Sequence, residues 1–295
     1  MRTYQIVADS ATDFTMAQAE ALHVKLVPFS VTFDSSTVYT EHKDLTTDEF
    51  YEKVIHEAAF PKTSQPTIQH YLDVFEPIIK AGNDILCVCL TSGVSGSYQS
   101  AFNAKNMLEE AHPEAKICVV DTLQATGSEH LVAHQAIAMR DAGVPLVEAA
   151  EKLENIAHNH CKLFFSMDNL DHMVKGGRIG KAAGLASNIL NIKAILTLVD
   201  GVVHPAAKVR STKKVFAFMK NDLDTVVGGN KSDYQVQVIY TSSQKLDAAK
   251  QFMQELVDDG YEVAGDAPVQ LGLCMGSHGG PLLVGLAYCK KYTAL

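Results

Sequence analysis

Blocks of apolar residues alternate with helical patterns along the first 155 residues. Tyr4 to Ala8, Leu26 to Phe33, Ile85 to Leu90 and Lys116 to Val120 are short apolar runs bounded by turn residues, as strands are. The run Ile85 to Leu90 carries no polar face, so it fits a strand buried on both sides. Between these runs, apolar residues recur at helical spacing. Thr46-Thr47-Asp48-Glu49 forms a capping box before a helix that buries Phe50, Val54 and Ala58. Ile68, Tyr71, Leu72, Phe75, Ile78 and Ile79 mark a helix ending at Gly82. Further helices pass through Ala101, Ala104, Met107 and Leu108, from Gly127 to Ala142 with Leu131, Gln135 and Met139 on one side, and from Leu146 to Ala157. Strands separated by helices predict a doubly wound parallel sheet with right-handed crossovers.

The pattern changes near residues 159 to 161. Ala194 to Val199 and Val202 to His204 flank Asp200-Gly201, a strong hairpin signal. Tyr234 to Tyr240 alternates, which predicts a half-exposed strand with helices on one face of its sheet. Val269 to Met275 and Leu283 to Cys289 read as closing strands around the glycine-rich loop Gly276-Ser277-His278-Gly279-Gly280-Pro281. The expected architecture is α/β: a doubly wound domain over residues 1–158 and a two-layer α/β domain with a mixed sheet over residues 159–295.

The segment that draws these elements together is Thr91-Ser92-Gly93-Val94-Ser95-Gly96-Ser97-Tyr98-Gln99-Ser100. It links the most apolar run to a helix that Ser95 or Ser97 can cap. Unpaired amides at a helix N-terminus favour an anion, and glycines let it approach the backbone. Hydroxyls and no Lys or Arg surround those amides in the sequence, which suits a carboxylate better than a phosphate. Asp9-Ser10-Ala11-Thr12-Asp13 and Thr63-Ser64-Gln65-Pro66-Thr67 are further polar segments placed where open sheets bind ligands.

Length and composition add bounds. With 295 residues, 47% hydrophobic and 20% charged, the chain has material for two cores. A net charge of −9 argues against nucleic acid as a partner. Met1-Arg2-Thr3-Tyr4 leads straight into a strand without a signal peptide, and no run is long enough to cross a bilayer, so a cytoplasmic location is expected. The six cysteines lie in or beside apolar runs without disulfide or zinc spacing, as small buried hydrophobes do.

Familiar catalytic motifs are incomplete. Gly93-Val94-Ser95-Gly96 places its second glycine one position too early for a hydrolase elbow. Around Gly180-Lys181 a phosphate loop would need glycine at Lys175 and a hydroxyl at Ala182. No two glycines are spaced as a dinucleotide fingerprint requires. His130 and His134 share a helix face but lack a third ligand, and His158 and His160 sit where a helix ends. His278 is the histidine best placed to enter a cleft. Lys175-Gly176-Gly177-Arg178 and Lys208 to Lys214 are basic islands, read either as solvated faces or as docking patches for an anionic partner.

Ala8-Asp9-Ser10, Thr63-Ser64-Gln65-Pro66, the Ser92 to Ser100 segment, Gly176-Gly177-Arg178-Ile179 and the His278 region occur in the order of the DegV family, which the chain resembles over nearly its whole length. The resemblance implies a fatty acid held between the two domains, with no cofactor and no catalytic residue. It places the carboxylate near Thr63, Ser64, Ser95, the Gly96 amide and His278. Members called FakB present the acid to a fatty acid kinase that makes acyl phosphate for phospholipid synthesis. By resemblance Arg178 and Arg210 serve the kinase contact, Arg210 above all, and the cargo is compatible with transient membrane contact. Two positions depart from the family pattern: Leu282 after Gly280-Pro281, and Tyr39-Thr40-Glu41, which lacks the usual Asp-Gly. The competing readings are a serine-dependent acyl hydrolase using Ser95 and His278, with a carboxylate such as Asp9 as orienter, and a lipid-sensing regulatory protein.

Overall fold

In the computed structural model, residues 3–34, 36–57, 60–185 and 192–295 are described; Met1, Arg2 and the expected apolar contact of Ala58 fall outside them. The first strands are β1 (Tyr4–Asp9) and β2 (Val24–Val27), joined through helix α1 (Met16–Ala21). The expected strand over 26–33 is divided. Pro28 lacks an N–H, and the Phe29 N–H donates to Ser10 Oγ at 2.9 Å, so the chain leaves the parallel sheet there. It continues as β3 (Ser30–Thr32), which pairs antiparallel with β4 (Tyr39–Thr40) and β5 (Lys62–Ser64) in a small separate sheet. Helix α2 (Thr47–His56) starts at the Thr46–Glu49 capping box and buries Phe50 and Val54. Helix α3 (Ile68–Lys80) buries Tyr71, Phe75, Ile78 and Ile79.

Strands β6 (Asp84–Cys89) and β7 (Ile117–Asp121) flank helix α4 (Ser97–Ala111) and complete a parallel sheet of order β2-β1-β6-β7. Every residue of β6 is buried, as its unbroken apolar run requires. Helices α5 (Thr126–Asp141) and α6 (Leu146–Asn159) follow.

Residues 161–290 build a mixed sheet from β8 (Cys161–Met167), β9 (Lys193–Val199), β10 (Val202–Val209), β11 (Tyr234–Tyr240), β12 (Glu262–Val263), β13 (Val269–Gln270) and β14 (Leu283–Lys290). The β9–β10 hairpin turns at Asp200 and Gly201, both at positive φ, as a tight primed turn demands. Helices α7 (Asp171–Lys175), α8 (Thr212–Val227), α9 (Ser243–Asp258) and α10 (Leu273–Gly279) complete this part.

The sheet alternation is strict. Phe164, Ile195, Val236, Val238 and Leu286 pack with α8 and α9, while Leu163, Phe165, Leu196, Ile239 and Ala287 share a core with Phe29, Leu90 and Leu131 of the first half. Strand β11 is therefore covered on both faces, not half-exposed as its alternation suggested. The cover is α5, which packs against β1 and β6 on one side and β8, β11 and β14 on the other. A helix walled on both sides buries even its polar residues; Gln135 and Glu129 are buried along with Leu131 and Met139. Gly127 lets it approach closely, since a Cβ there would lie 2.5 Å from Ile239 Cγ2.

The closing segment also differs from expectation. Only Val269 and Gln270 form strand, and Leu273 to Gly279 is the helix α10, with His278 in its last turn. The reason lies far away in sequence. Asp13 accepts from the Gly272 N–H at 2.8 Å, and Glu41 accepts from the Leu273 and Cys274 N–H groups, so two distant carboxyls cap the helix start.

Candidate functional site

The carboxyl ends of β1, β6 and β7 meet beneath the α4 entrance. Asp9 Oδ2 accepts from the Leu90 N–H at 3.0 Å and from Ser97 Oγ at 2.7 Å, and its Oδ1 accepts from the Ala11 N–H at 3.2 Å. Asp121 at the end of β7 accepts from the Ser92 N–H at 3.1 Å. Ser97 thus turns inward and does not cap α4. Ser95 Oγ accepts the Ser97 N–H at 3.1 Å, and Gly96 stands at the cap position with its N–H donated to Gln65 Oε1 at 2.9 Å.

A cavity of about 350 Å³ opens here, within the size range of small-molecule pockets. Its apolar wall includes Phe29, Leu163, Phe165, Met167, Ile239 and Leu283, drawn from both halves of the chain. Its polar lining includes Thr63, Ser64, Gln65, Ser95, Arg178 and His278. Gly96 reaches this lining only through Gln65, and Arg210 is exposed at the end of β10 without lining the cavity.

The sequence around Ser95 lacks a cation, but the fold supplies one. Arg178 donates from Nε to the Val94 carbonyl at 3.3 Å and from Nη1 to the Gly176 carbonyl at 2.7 Å, which fixes an exposed guanidinium at the rim. The hairpin tip is tied to the same loop: Thr91 Oγ1 donates to the Gly201 carbonyl at 3.0 Å and accepts from the Gly93 N–H at 3.1 Å.

Thr63 Oγ1 and His278 Nε2 are 2.9 Å apart, joining β5 to α10. Burial, with Arg178 and His172 nearby, lowers the His278 pKa to about 4, so the ring is neutral at pH 7. Its Nδ1 is buried without a hydrogen-bond partner among the described residues, beside Gly176. A neutral ring carries one proton, and on Nε2 it is used in the contact with Thr63, whereas on Nδ1 it would face no partner among the described residues. In the Nε2–H tautomer His278 donates to Thr63, which leaves the Thr63 hydroxyl proton for the cavity.

Behind α10 lie four buried carboxyls. Burial pushes Asp9 up to about 6 and Glu41 up to about 7, their hydrogen bonds opposing only in part. Asp13 is raised well above the ordinary carboxylate range by burial, as is Glu129, to which the nearby Asp9 and Asp13 add. Glu41 also accepts from Ser10 Oγ at 2.5 Å, and Asp13 from Thr126 Oγ1.

The hydrolase arrangement is not assembled. His278 Nε2 pairs with Thr63 instead of Ser95, and Asp9 is already engaged by Leu90, Ser97 and Ala11. The imidazoles of His130 and His134 hydrogen-bond each other at 3.1 Å, and His130 Nδ1 meets the Thr12 carbonyl at 3.0 Å. No group of three His, Cys, Asp or Glu side chains among the described residues is placed to hold a metal ion. No helix among them is long and apolar enough to cross a membrane.

Thr63, Ser64, Ser95 and His278, expected at the site from the sequence, share one cavity. Gln65, Asp13 and Glu41 had no expected role, yet each accepts a backbone amide in or beside the site. Asp13 had a signal, since it ends the polar segment after β1; Glu41 stood out only as a departure from the family pattern.

The profile of a family described as "Uncharacterised protein, DegV family" matches residues 3–291. A DegV domain-containing protein of Clostridium acetobutylicum is 31% identical over 293 residues, covering 96% of each chain. Among solved structures, a stearic acid-binding protein from Eubacterium ventriosum superposes with a TM-score of 0.90 at 32% identity, covering 99% of this chain and 100% of that one. A DegV family protein from Thermus thermophilus, described for its fatty acid binding, gives 0.86 at 27% identity over 98% of this chain and all of its own. By sequence over almost its full length, and by a fold shared with those structures, this chain belongs to the DegV family.

Proposed function

We propose that this chain binds a long-chain fatty acid between residues 1–158 and 159–295 and presents it to a fatty acid kinase. The observation that carries the reading is one cavity with an apolar wall from both halves and a connected polar end, where Thr63, Ser95 and His278 adjoin the α4 N-terminus. Burying about fifteen methylenes at ~0.8 kcal/mol each gives on the order of 12 kcal/mol before association costs. The tail supplies affinity. The head group then needs only hydrogen bonds that offset its desolvation. The Thr63 hydroxyl, oriented by His278, together with Ser95 and the Gly96 amide supplies them, and the helix dipole favours the carboxylate.

The kinase would phosphorylate that carboxylate to an acyl phosphate, a step that serves phospholipid synthesis. Exposed Arg178 at the rim and exposed Arg210 just after β10 offer cationic contacts to a kinase surface. The location that suits this role is the cytoplasm. Denaturing mass spectrometry of protein purified from a bacterial host tests the first step: near-stoichiometric fatty acid is expected. Absence of bound lipid even after reloading with oleate would refute it. The kinase step is tested by acyl phosphate formation with a purified bacterial fatty acid kinase, and Arg210→Glu is expected to slow it without loss of bound acid.

A further inference from the structure

We propose that Gln65 is a built-in competitor of the ligand's head group, holding the Gly96 amide and surrendering it when a carboxylate arrives; this rests on the fatty-acid reading above. Gln65 Oε1 accepts the Gly96 N–H at 2.9 Å, and Gln65 lines the cavity. An amide N–H carries one hydrogen, so a carboxylate that takes it must displace the carboxamide. The neighbouring amides are already engaged: those of Val94 and Ser95 by the Thr91 carbonyl and that of Ser97 by Ser95 Oγ. Gly96 is therefore the amide of the α4 entrance whose partner is a long, movable side chain.

Three features fit an exchangeable contact. The carboxamide lies against the Gly96 backbone, where a Cβ would come within 2.5 Å of Oε1 and 2.9 Å of Cδ, so glycine is needed for this packing. Its other hydrogen bond, Nε2 to Ser100 Oγ, is long at 3.4 Å. Gln65 is exposed to solvent, so swinging outward costs it no burial. A carboxylate oxygen makes a charge-assisted bond roughly twice as strong as that of a neutral amide, so the exchange runs toward the acid. The same contact spares an unpaired helix-terminal donor whenever no carboxylate takes that amide. The device lowers net affinity for the acid, which favours its surrender to a partner.

Two measurements test this. In ¹⁵N-labelled protein, stoichiometric oleate is expected to move the Gln65 side-chain NH₂ resonances toward solvent-exposed values and to shift the Gly96 amide. Removing the competitor by Gln65→Ala is expected to tighten oleate binding about five-fold, the effect of one neutral hydrogen bond. A purely structural Gln65 would give the opposite sign. Oleate bound with Gln65 and Gly96 unmoved, or an alanine variant that binds oleate no tighter, overturns the inference and leaves the fatty-acid reading standing. Failure of the wild-type protein to bind oleate overturns both.

Discussion

Raising the pH from 5 to 8 is expected to weaken this fold through Glu41, and the replacement Glu41→Gln isolates the effect. The folded-state pKa of Glu41 rises from 4.5 to about 7, chiefly through burial. Between those values the native state binds a proton that the unfolded state does not, so stability falls as pH rises. The contribution is fully present below pH 4.5 and lost as pH passes through about 7. It corresponds to about 3 kcal/mol in total, most of it falling between pH 5 and 8. Histidines act with the opposite sign: burial lowers His130 to about 3, and His134 and His278 to about 4, so stability from these groups is lost in acid. Comparing wild type with Glu41→Gln cancels the histidines. The glutamine keeps an acceptor for the Leu273 and Cys274 amides and does not titrate. Urea midpoints followed by circular dichroism at pH 5, 6, 7 and 8 should show the variant gaining on wild type by about 2–3 kcal/mol across that range. Parallel pH profiles for the two proteins would refute the assignment of a raised, proton-holding Glu41.

Other substitutions probe the joints between elements. Thr63→Val removes the partner of His278 Nε2 and is expected to weaken oleate binding about ten-fold by titration calorimetry and, by leaving that ring nitrogen unpaired, to cost about 1–3 kcal/mol in urea denaturation. Gly127→Val drives a side chain into Ile239 and Ala287 and should cost about 1–3 kcal/mol or more in urea denaturation. Gly201→Ala combines a φ of +74° with a collision against Thr91, so it should lower the melting temperature and loosen the Thr91–Gly93 loop in hydrogen exchange.

Much of the fold was legible because burial writes its own periodicity. The all-apolar run of β6, the Thr46 capping box and the Asp200-Gly201 turn each depend on neighbouring residues, and each forms as those residues predict. The failures have a common cause. Leu273 to Gly279 becomes a helix because Asp13 and Glu41, more than 230 positions earlier in the chain, accept its first amides. The alternation of β11 suggested an open face, yet α5 from the other half covers it. Within the site, Ser95 and His278 announced themselves by residue type. Gln65 did not, since nothing local tells a surface glutamine from one bonded to the Gly96 amide.

The double burial of α5 bears on how the molecule could be divided. A cut near residue 158 separates two sheets of different topology, each with a core of its own, but it splits a further core that both parts share. Residues 159–295 alone would expose Leu163, Phe165, Leu196 and Ile239, while residues 1–158 alone would leave Gly127 and Leu131 without their opposing wall. The boundary is topological more than thermodynamic. Unfolding is accordingly expected as one cooperative transition, and a cavity built on this seam persists only while both parts are folded.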